Sequence, residues 1–135
     1  MRNPPPSTIR SYMTPSPHTI SPRASMAKVH EVMREHEIRH LPVVLAGRLL
    51  GCVSQRDLAI MESLPDVDPK DVPVEDAMTV DVYTASPDAP LRHVVTEMAS
   101  RKLGSAVIMD GETVIGMFTT IDALQALSQV LGAIG

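Results

Sequence analysis

The chain has 135 residues, of which 44% are hydrophobic and 21% are charged, and this composition is typical of one compact globular domain. Its formal net charge is −4, and it carries two tyrosines, one phenylalanine and no tryptophan. The lack of a basic run and of aromatic stacking platforms excludes an ordinary nucleic-acid-binding surface. The longest apolar runs are also far shorter than the ~20 residues that a membrane-spanning helix needs.

The first eleven residues predict a flexible tail. They include three consecutive prolines and offer neither periodic hydrophobicity nor an apolar stretch that would act as a secretion signal. The single cysteine, Cys52, cannot form an internal disulfide and lies in an apolar strand pattern, which indicates a small buried side chain without chemistry. Both features favour a cytoplasmic protein.

Residues 12–60 and 77–125 are two copies of one pattern at a constant offset of 65 positions. Met13 matches Met78 and Asp57 matches Asp122 without any insertion, since 78 − 13 and 122 − 57 are both 65. Self-similarity at a fixed offset is the signature of a duplicated supersecondary unit. Two such copies can share the core that neither would bury well alone.

Each copy predicts the same elements in the order β-α-β-β-α. The first copy predicts an extended piece at 19–20, a helix over 25–37, strands over 41–45 and 49–53, and a helix over 54–62. An acidic, proline-rich linker follows over 63–74. The second copy predicts an extended piece at 84–85, a helix, strands over 106–109 and 114–118 around an Asp-Gly hairpin turn, and a helix from 119 to about 131.

The predicted organisation is therefore a tail over 1–11, a first repeat over 12–62, the linker over 63–74 and a second repeat over 75–135. The last helix carries an apolar face that continues towards the C-terminus, formed by Leu124, Leu127, Val130 and Leu131. Such a face suits a dimer contact.

Both copies carry the motif Gly-x-x-Ser/Thr-x-x-Asp where the hairpin meets the last helix. Its residues are Gly51, Ser54 and Asp57 in the first copy and Gly116, Thr119 and Asp122 in the second. One interpretation is structural, because a Ser or Thr N-cap with an acidic residue three positions later forms a capping box. The other is ligand binding, because amides and a hydroxyl at a helix start can hold a phosphate while Asp accepts the two hydroxyls of a ribose. The two interpretations are compatible.

The chain resembles the family of cystathionine-β-synthase (CBS) domain pairs, also called Bateman modules, over nearly everything after Ser11. The resemblance rests on the whole repeat and on several motifs in order. These are Met13-Thr14 and Met78-Thr79, Thr19-Ile20-Ser21-Pro22 and Thr84-Ala85-Ser86-Pro87, Ile38-Arg39-His40-Leu41-Pro42-Val43-Val44, and both Gly-x-x-Ser/Thr-x-x-Asp elements. It implies an α/β (α+β) fold of two β-α-β-β-α repeats packed with pseudo-twofold symmetry, with two clefts between them that often bind adenosine-containing ligands.

Carried over onto this sequence, the resemblance implies that each cleft combines the hydroxyl and Asp of one repeat with segments of the other. Cleft one would use Ser54, Asp57, Met78, Thr79, Tyr83, Leu103 and Gly104, and cleft two would use Thr119, Asp122, Met13, Thr14, His18, Ile38, Arg39 and Pro42. The Asp would hold the ribose while apolar side chains enclose the base. AMP, ADP, ATP or S-adenosylmethionine would bind as a regulatory ligand, with no obligatory cofactor.

The distribution of cationic side chains favours cleft two as the better nucleotide site. Arg39, His40 and Arg56 of the first repeat have the uncharged counterparts Gly104, Ser105 and Ile121 in the second. Since a guanidinium suits phosphate oxygens, Arg39, with His40 and Arg56, is predicted to reach the phosphates. A solvated basic edge is the alternative. The second repeat also has no proline at the position that matches Pro42, which leaves base recognition in cleft one less defined.

Neither a metal site nor a catalytic site is predicted. His36 and His40 are four residues apart, but the chain leaves the helix between them and no further ligands complete a tetrahedral set. Ser54 and Thr119 have no histidine in their motifs to act as a base. We therefore expect a regulatory, non-enzymatic homodimer that senses an adenosyl ligand and acts in trans on a protein partner or on its own oligomer. The alternative is a protein-interaction scaffold with vestigial clefts.

Overall fold

A computed structural model describes residues 7–134, and within them the chain divides into two compact units. Unit 1 comprises residues 7–16 and 83–134, and unit 2 comprises residues 17–82. The predicted helices and hairpins are confirmed to within a few residues. The helices are α1 (Met26–His36), α2 (Gln55–Glu62), α3 (Leu91–Arg101) and α4 (Thr120–Ile134), and the strands are β1 (Thr14–Pro15), β2 (His40–Leu45), β3 (Arg48–Ser54), β4 (Thr84–Ala85), β5 (Ser105–Asp110) and β6 (Thr113–Thr119). Within residues 7–134, none of these helices has the length and apolarity to cross a membrane.

Unit 2 is built on the antiparallel β2–β3 hairpin. Helix α1 begins after Ser25, whose side chain accepts a hydrogen bond from the amide of Lys28 at 3.1 Å, as an N-cap does. The buried face of α1, formed by Met26, Val29 and Met33, packs with the strands and with α2 into one apolar core. These three residues follow the i, i+3, i+7 spacing from which the sequence predicts the helix.

The sequence predicts a linker over residues 63–74, but this segment packs against the core of unit 2. Val74 is fully buried, and Val67 and Val72 lie against the same core. The carbonyl of Val72 also accepts a hydrogen bond from the amide of Met26 at 2.9 Å. The prolines and acidic residues of this segment favour a linker, but its valines supply enough apolar surface to hold it against the core.

Unit 1 contains a four-stranded sheet in the order β1-β6-β5-β4. Strands β5 and β6 form the hairpin that the Asp-Gly turn predicts, and β4 runs parallel to β5. Helix α3 covers the sheet with Val94 and Met98, and Phe118 of β6 is fully buried between them and the sheet's other apolar side chains.

The flexible tail predicted for residues 1–11 is wrong for residues 8–11. Ile9–Ser11 form a 3-10 helix, and Ile9 is 0% exposed within the core of unit 1. The amide of Ile9 donates to the carbonyl of Ala89 at 2.8 Å, and Arg10 pairs with Asp88 at 3.5 Å. The buried isoleucine side chain and these backbone contacts anchor the segment. Residues 1–6 lie outside the described residues.

Each unit is completed by a short segment from the start of the other repeat. Strand β1 lies at the start of the first repeat but pairs with β6, so that Thr14 lies opposite Met117. Thr79 lies near the start of the second repeat but pairs with Cys52 of β3. The two pairings are related by the repeat, since 79 − 14 and 117 − 52 are both 65. The predicted repeats over 12–62 and 75–135 therefore do not coincide with the compact units.

Candidate functional site

The start of α4 in unit 1 carries the hydroxyl and carboxylate of the second motif. Oδ2 of Asp122 accepts hydrogen bonds from the amide of Thr119 at 2.9 Å and from its Oγ1 at 3.2 Å. Oδ1 of Asp122 accepts a third bond, from Oγ1 of Thr14 in β1 at 3.0 Å. Asp122 is 8% exposed, so the carboxylate is both buried and well supplied with donors.

The start of α2 in unit 2 carries the matching groups of the first motif. Ser54 and Asp57 form a complete capping box, in which the amide of Ser54 donates to Oδ2 of Asp57 at 2.8 Å and the amide of Asp57 donates to Oγ of Ser54 at 3.0 Å. Oγ1 of Thr79 lies 3.5 Å from Oδ1 of Asp57. The capping interpretation of the motif is confirmed, and it leaves ligand binding possible because the two roles use different lone pairs of the carboxylate.

Two glycines bring the Met-Thr pairs next to these carboxylates. Met78 lies over Gly51 in unit 2, and Met13 lies over Gly116 in unit 1. Because glycine has no side chain, the methionine can cover the strand closely while the following threonine reaches the start of the helix. The Met-Thr motif and the Gly-x-x-Ser/Thr-x-x-Asp motif are therefore one local structure.

Unit 2 also has a cavity of about 500 Å³ beside the predicted phosphate-binding arginine. Arg39 ends the loop before β2, and its carbonyl accepts a hydrogen bond from the amide of Gln55 at 2.9 Å. Neither Arg34 nor Arg39 forms a salt bridge with any residue that the structure describes, so both guanidinium groups can meet an anion. The cavity is lined by His30, Met33, Arg34, Glu37, Ile38, Arg39 and Gln55.

His40 begins β2 opposite Ser54 of β3. Burial lowers the pKa of His40 below its usual value of 6.5, the carboxylate of Asp57 opposes that change, and the positive charge of Arg39 adds to it. The neutral imidazole is therefore favoured in the folded protein. A neutral ring at this position would offer a phosphate a hydrogen bond but no charge.

This lowered pKa predicts that the protein loses stability on mild acidification. As the pH falls below about 6.5, the unfolded chain takes up a proton at His40 before the folded protein does, so the free energy of unfolding decreases. We expect the decrease between pH 7.5 and pH 5.5 in urea titrations to be smaller for His40→Gln than for the wild type. Equal slopes for the two proteins would contradict the assignment, and the NMR titration of the His40 ring gives an independent check.

The remaining predicted residues of unit 2 have varied surroundings. The ring of His18 stacks on that of His36 with centroids 3.6 Å apart. Pro42 is buried in β2, and Arg56 is exposed on α2. Within residues 7–134 there is no group of three or more His, Cys, Asp or Glu side chains that could hold a metal ion.

The remaining predicted residues of unit 1 lie around β4 and the start of β5. The guanidinium of Arg101 lies 5.3 Å from the centre of the Tyr83 ring, and the Tyr83 hydroxyl is buried without a hydrogen-bond partner in the described part of the chain. Burial, with help from Glu97, raises the pKa of Tyr83. Leu103 packs on the core, and the carbonyl of Gly104 accepts a hydrogen bond from the amide of Thr120 at 3.1 Å.

The structure thus brings together some of the residues that were assigned to each predicted cleft. Thr119, Asp122, Met13 and Thr14 meet in unit 1, and Ser54, Asp57, Met78 and Thr79 meet in unit 2. Tyr83, Leu103 and Gly104 belong to unit 1, while His18, Ile38, Arg39 and Pro42 belong to unit 2, so their grouping into clefts stays a prediction. Sequence reasoning missed Arg34 and Gln55, although Gln55 directly follows the N-cap Ser54 and could have been found there.

Comparison with known proteins identifies the family. The CBS domain family matches residues 9–61 and 74–129. The chain is 25% identical over 111 residues to the CBS domain-containing protein YhcV of Bacillus subtilis (strain 168), which covers 82% of this chain and 79% of that protein. Other curated relatives are enzymes of which the chain spans only 15% to 32% of the length, so their activities are not assigned to it.

Solved structures show the same fold. An uncharacterized conserved protein from Pyrococcus horikoshii has a TM-score of 0.82 and 28% identity, over 90% of this chain and 92% of that one. The CBS domain pair of protein MJ0100, in complex with 5′-methylthioadenosine and S-adenosyl-L-methionine, has a TM-score of 0.83 and 25% identity, over 92% of this chain and 98% of that one. Since the family matches both repeats, this chain belongs to the CBS domain family and is a tandem CBS domain pair.

Proposed function

We propose that the chain is a regulatory module that binds an adenine nucleotide or another adenosyl ligand through Asp57 and Asp122. The observation that carries the proposal is the doubled arrangement of a hydroxyl, a carboxylate and a threonine at the starts of α2 and α4. A carboxylate in this position can accept both hydroxyls of a ribose, and the helix start suits a phosphate. The adenosyl ligands of the related MJ0100 domain pair support the ligand class.

Arginine side chains supply the charge that a phosphate needs. Arg39 and Arg34 line the cavity of unit 2, and their planar guanidinium groups can bind phosphate oxygens in pairs. The module would act on a protein partner in trans or on its own oligomer, and the ligand would shift that equilibrium by no more than its differential affinity for the two states.

Thermal unfolding with a ligand panel tests this proposal. We expect one of AMP, ADP, ATP, S-adenosylmethionine and 5′-methylthioadenosine to raise the midpoint by roughly ten degrees at a hundred times its Kd, a stabilisation of about 2.7 kcal/mol, while GMP does not. The double variant Asp57→Asn/Asp122→Asn should lose this shift, measured from its own midpoint because both residues cap helices. Asp110→Asn is the matched control, since it removes an exposed carboxylate from a hairpin turn that accepts Asn.

The proposal fails if no compound shifts the wild type or if the double variant keeps the full shift. The first result would favour a second candidate function, a protein-interaction module, whereas the second would mean that the ligand does not bind through the two aspartates. The apolar face of α4 supports that candidate, because Ile121, Leu124, Leu127, Leu131 and Ile134 are between 52% and 76% exposed. A second copy of the chain presenting the same face would cover it in a homodimer.

A further inference from the structure

We propose that the two aspartates are not equivalent. A ligand binds at Asp57 before it binds at Asp122, because the hydroxyl of Thr14 already donates a hydrogen bond to Asp122 in the free protein. This inference rests on the proposed function and names the residue that sets the order of binding. We call the hydrogen bond from Oγ1 of Thr14 to Oδ1 of Asp122 the Thr14 latch. The order is the reverse of the one that the arginines of the first repeat suggest.

Asp122 has little capacity left for a ribose. Its Oδ2 already accepts two hydrogen bonds from Thr119, and its Oδ1 accepts the latch at 3.0 Å. A carboxylate oxygen has about two lone pairs, so Oδ2 is filled and Oδ1 keeps one. With Asp122 only 8% exposed, a ribose that is to bind both oxygens must first displace a donor.

Asp57 is open by comparison. Its Oδ2 accepts one strong hydrogen bond, from the amide of Ser54 at 2.8 Å. Oγ1 of Thr79 lies 3.5 Å from Oδ1, a distance at which a hydrogen bond between oxygens is weak. The Ser54 hydroxyl accepts from the Asp57 amide and donates to no acceptor among residues 7–134, whereas the Thr119 hydroxyl donates to Asp122. Asp57 is also more exposed than Asp122.

The backbone pairing of each threonine explains the difference. Thr14 lies in β1, where Thr14 and Pro15 pair with Met117 and Gly116 and the amide of Ser16 donates to the carbonyl of Ile115 at 3.0 Å. This continuous pairing holds the Thr14 hydroxyl against Asp122. Thr79 is attached by a single bridge to Cys52, so its side chain is positioned by fewer bonds.

The Thr14 latch therefore lowers the affinity of a ligand for Asp122, whereas no contact of this strength lowers its affinity for Asp57. Displacing a hydrogen bond to a charged group lowers affinity by roughly tenfold to a hundredfold. Exchanging the long Thr79 contact costs much less, because little energy is held in it. A module with two such elements would respond to its ligand over a wider concentration range than one with two equal elements.

Calorimetric titration with AMP and with S-adenosylmethionine tests the order. We expect two classes of sites in the wild type whose affinities differ by about tenfold or more, with Asp57→Asn removing the tighter class and Asp122→Asn the weaker. Thr14→Val keeps the shape of the side chain but removes its donor, so it should tighten the weaker class by about tenfold and leave the tighter class unchanged. Thr96→Val, on the exposed face of α3, is the matched control and should change neither class.

Three results of this titration would overturn the inference. Loss of the tighter class in Asp122→Asn would reverse the order while leaving the proposed function intact. If Thr14→Val did not raise the affinity of the weaker class, the latch would not be the cause of the weaker binding at Asp122. Absence of binding to wild type would overturn the proposed function and the order together.

The latch itself has a test that needs no ligand. The unfolding midpoints of Thr14→Val, Asp122→Ala and the double variant should be non-additive, because both single changes break the same bond. Additive midpoints would show that the bond contributes nothing in the free protein and would overturn the inference.

Discussion

Ile9→Ala is expected to lower the free energy of unfolding by about 2–5 kcal/mol, the usual cost of deleting a fully buried large aliphatic side chain. Ile9 is 0% exposed and packs with Val94, Met98 and Phe118 in the core of unit 1. Urea titration measures this change, with the helices followed by circular dichroism. The sequence predicts a flexible segment here, for which no such loss is expected.

Ile134→Ala is the matched control for this experiment. Ile134 belongs to the same unit, and the substitution removes the same atoms, but its side chain is 76% exposed. We expect its free energy of unfolding to stay within about 0.5 kcal/mol of the wild type. Equal, small effects for the two variants would mean that residues 8–11 are not anchored in the core.

Gly51→Ala is expected to lower the free energy of unfolding by about 3 kcal/mol, at the upper end of the cost of overpacking. A methyl group on Gly51 would lie 2.6 Å from the carbonyl oxygen of Thr79 and 2.8 Å from Sδ of Met78. The carbonyl cannot move without disturbing the paired bridge between Thr79 and Cys52, in which the two hydrogen bonds measure 2.8 Å and 2.9 Å.

The second repeat supplies the control for this substitution. The three atoms nearest to a methyl group on Gly116 would all belong to the side chain of Met13, which can turn aside. We expect Gly116→Ala to cost about 1 kcal/mol in the same denaturant titration. If the two alanine variants were equally stable, the close approach of the Thr79 backbone to Gly51 would not be a constraint on the fold.

The hairpins and long helices could be predicted because their signals are local. The 3.6-residue period of Met26, Val29 and Met33 and the Asp-Gly turn need no knowledge of the rest of the chain. The exchange of strands between the repeats could not be predicted in the same way. Thr14 and Pro15 form a strand of two residues, which is too short to show any alternation, and its partner lies about a hundred residues further along the chain.

The hydrogen bonds of the candidate site also fall into local ones, which the sequence predicts, and a long-range one, which it does not. The bonds between Ser54 and Asp57 and between Thr119 and Asp122 join residues three positions apart, so the motif itself predicts them. The Thr14 latch joins residues 108 positions apart. Both repeats contain the same Thr and Asp at matching positions, so the motif does not reveal that the contact of Thr14 is 3.0 Å long and that of Thr79 is 3.5 Å long.

The discontinuity of unit 1 also bears on how the chain reaches its native state. Unit 2 is one uninterrupted stretch, whereas unit 1 must join residues 7–16 to residues 83–134. Closing so long a loop costs entropy and is slow, so the segment 7–16 is expected to reach its place in unit 1 last. Until it does, the edge of β6 is open to any matching strand, and the N-terminal segment of a neighbouring copy fits as well as the chain's own. Crowded refolding should therefore yield exchanged dimers linked by this segment.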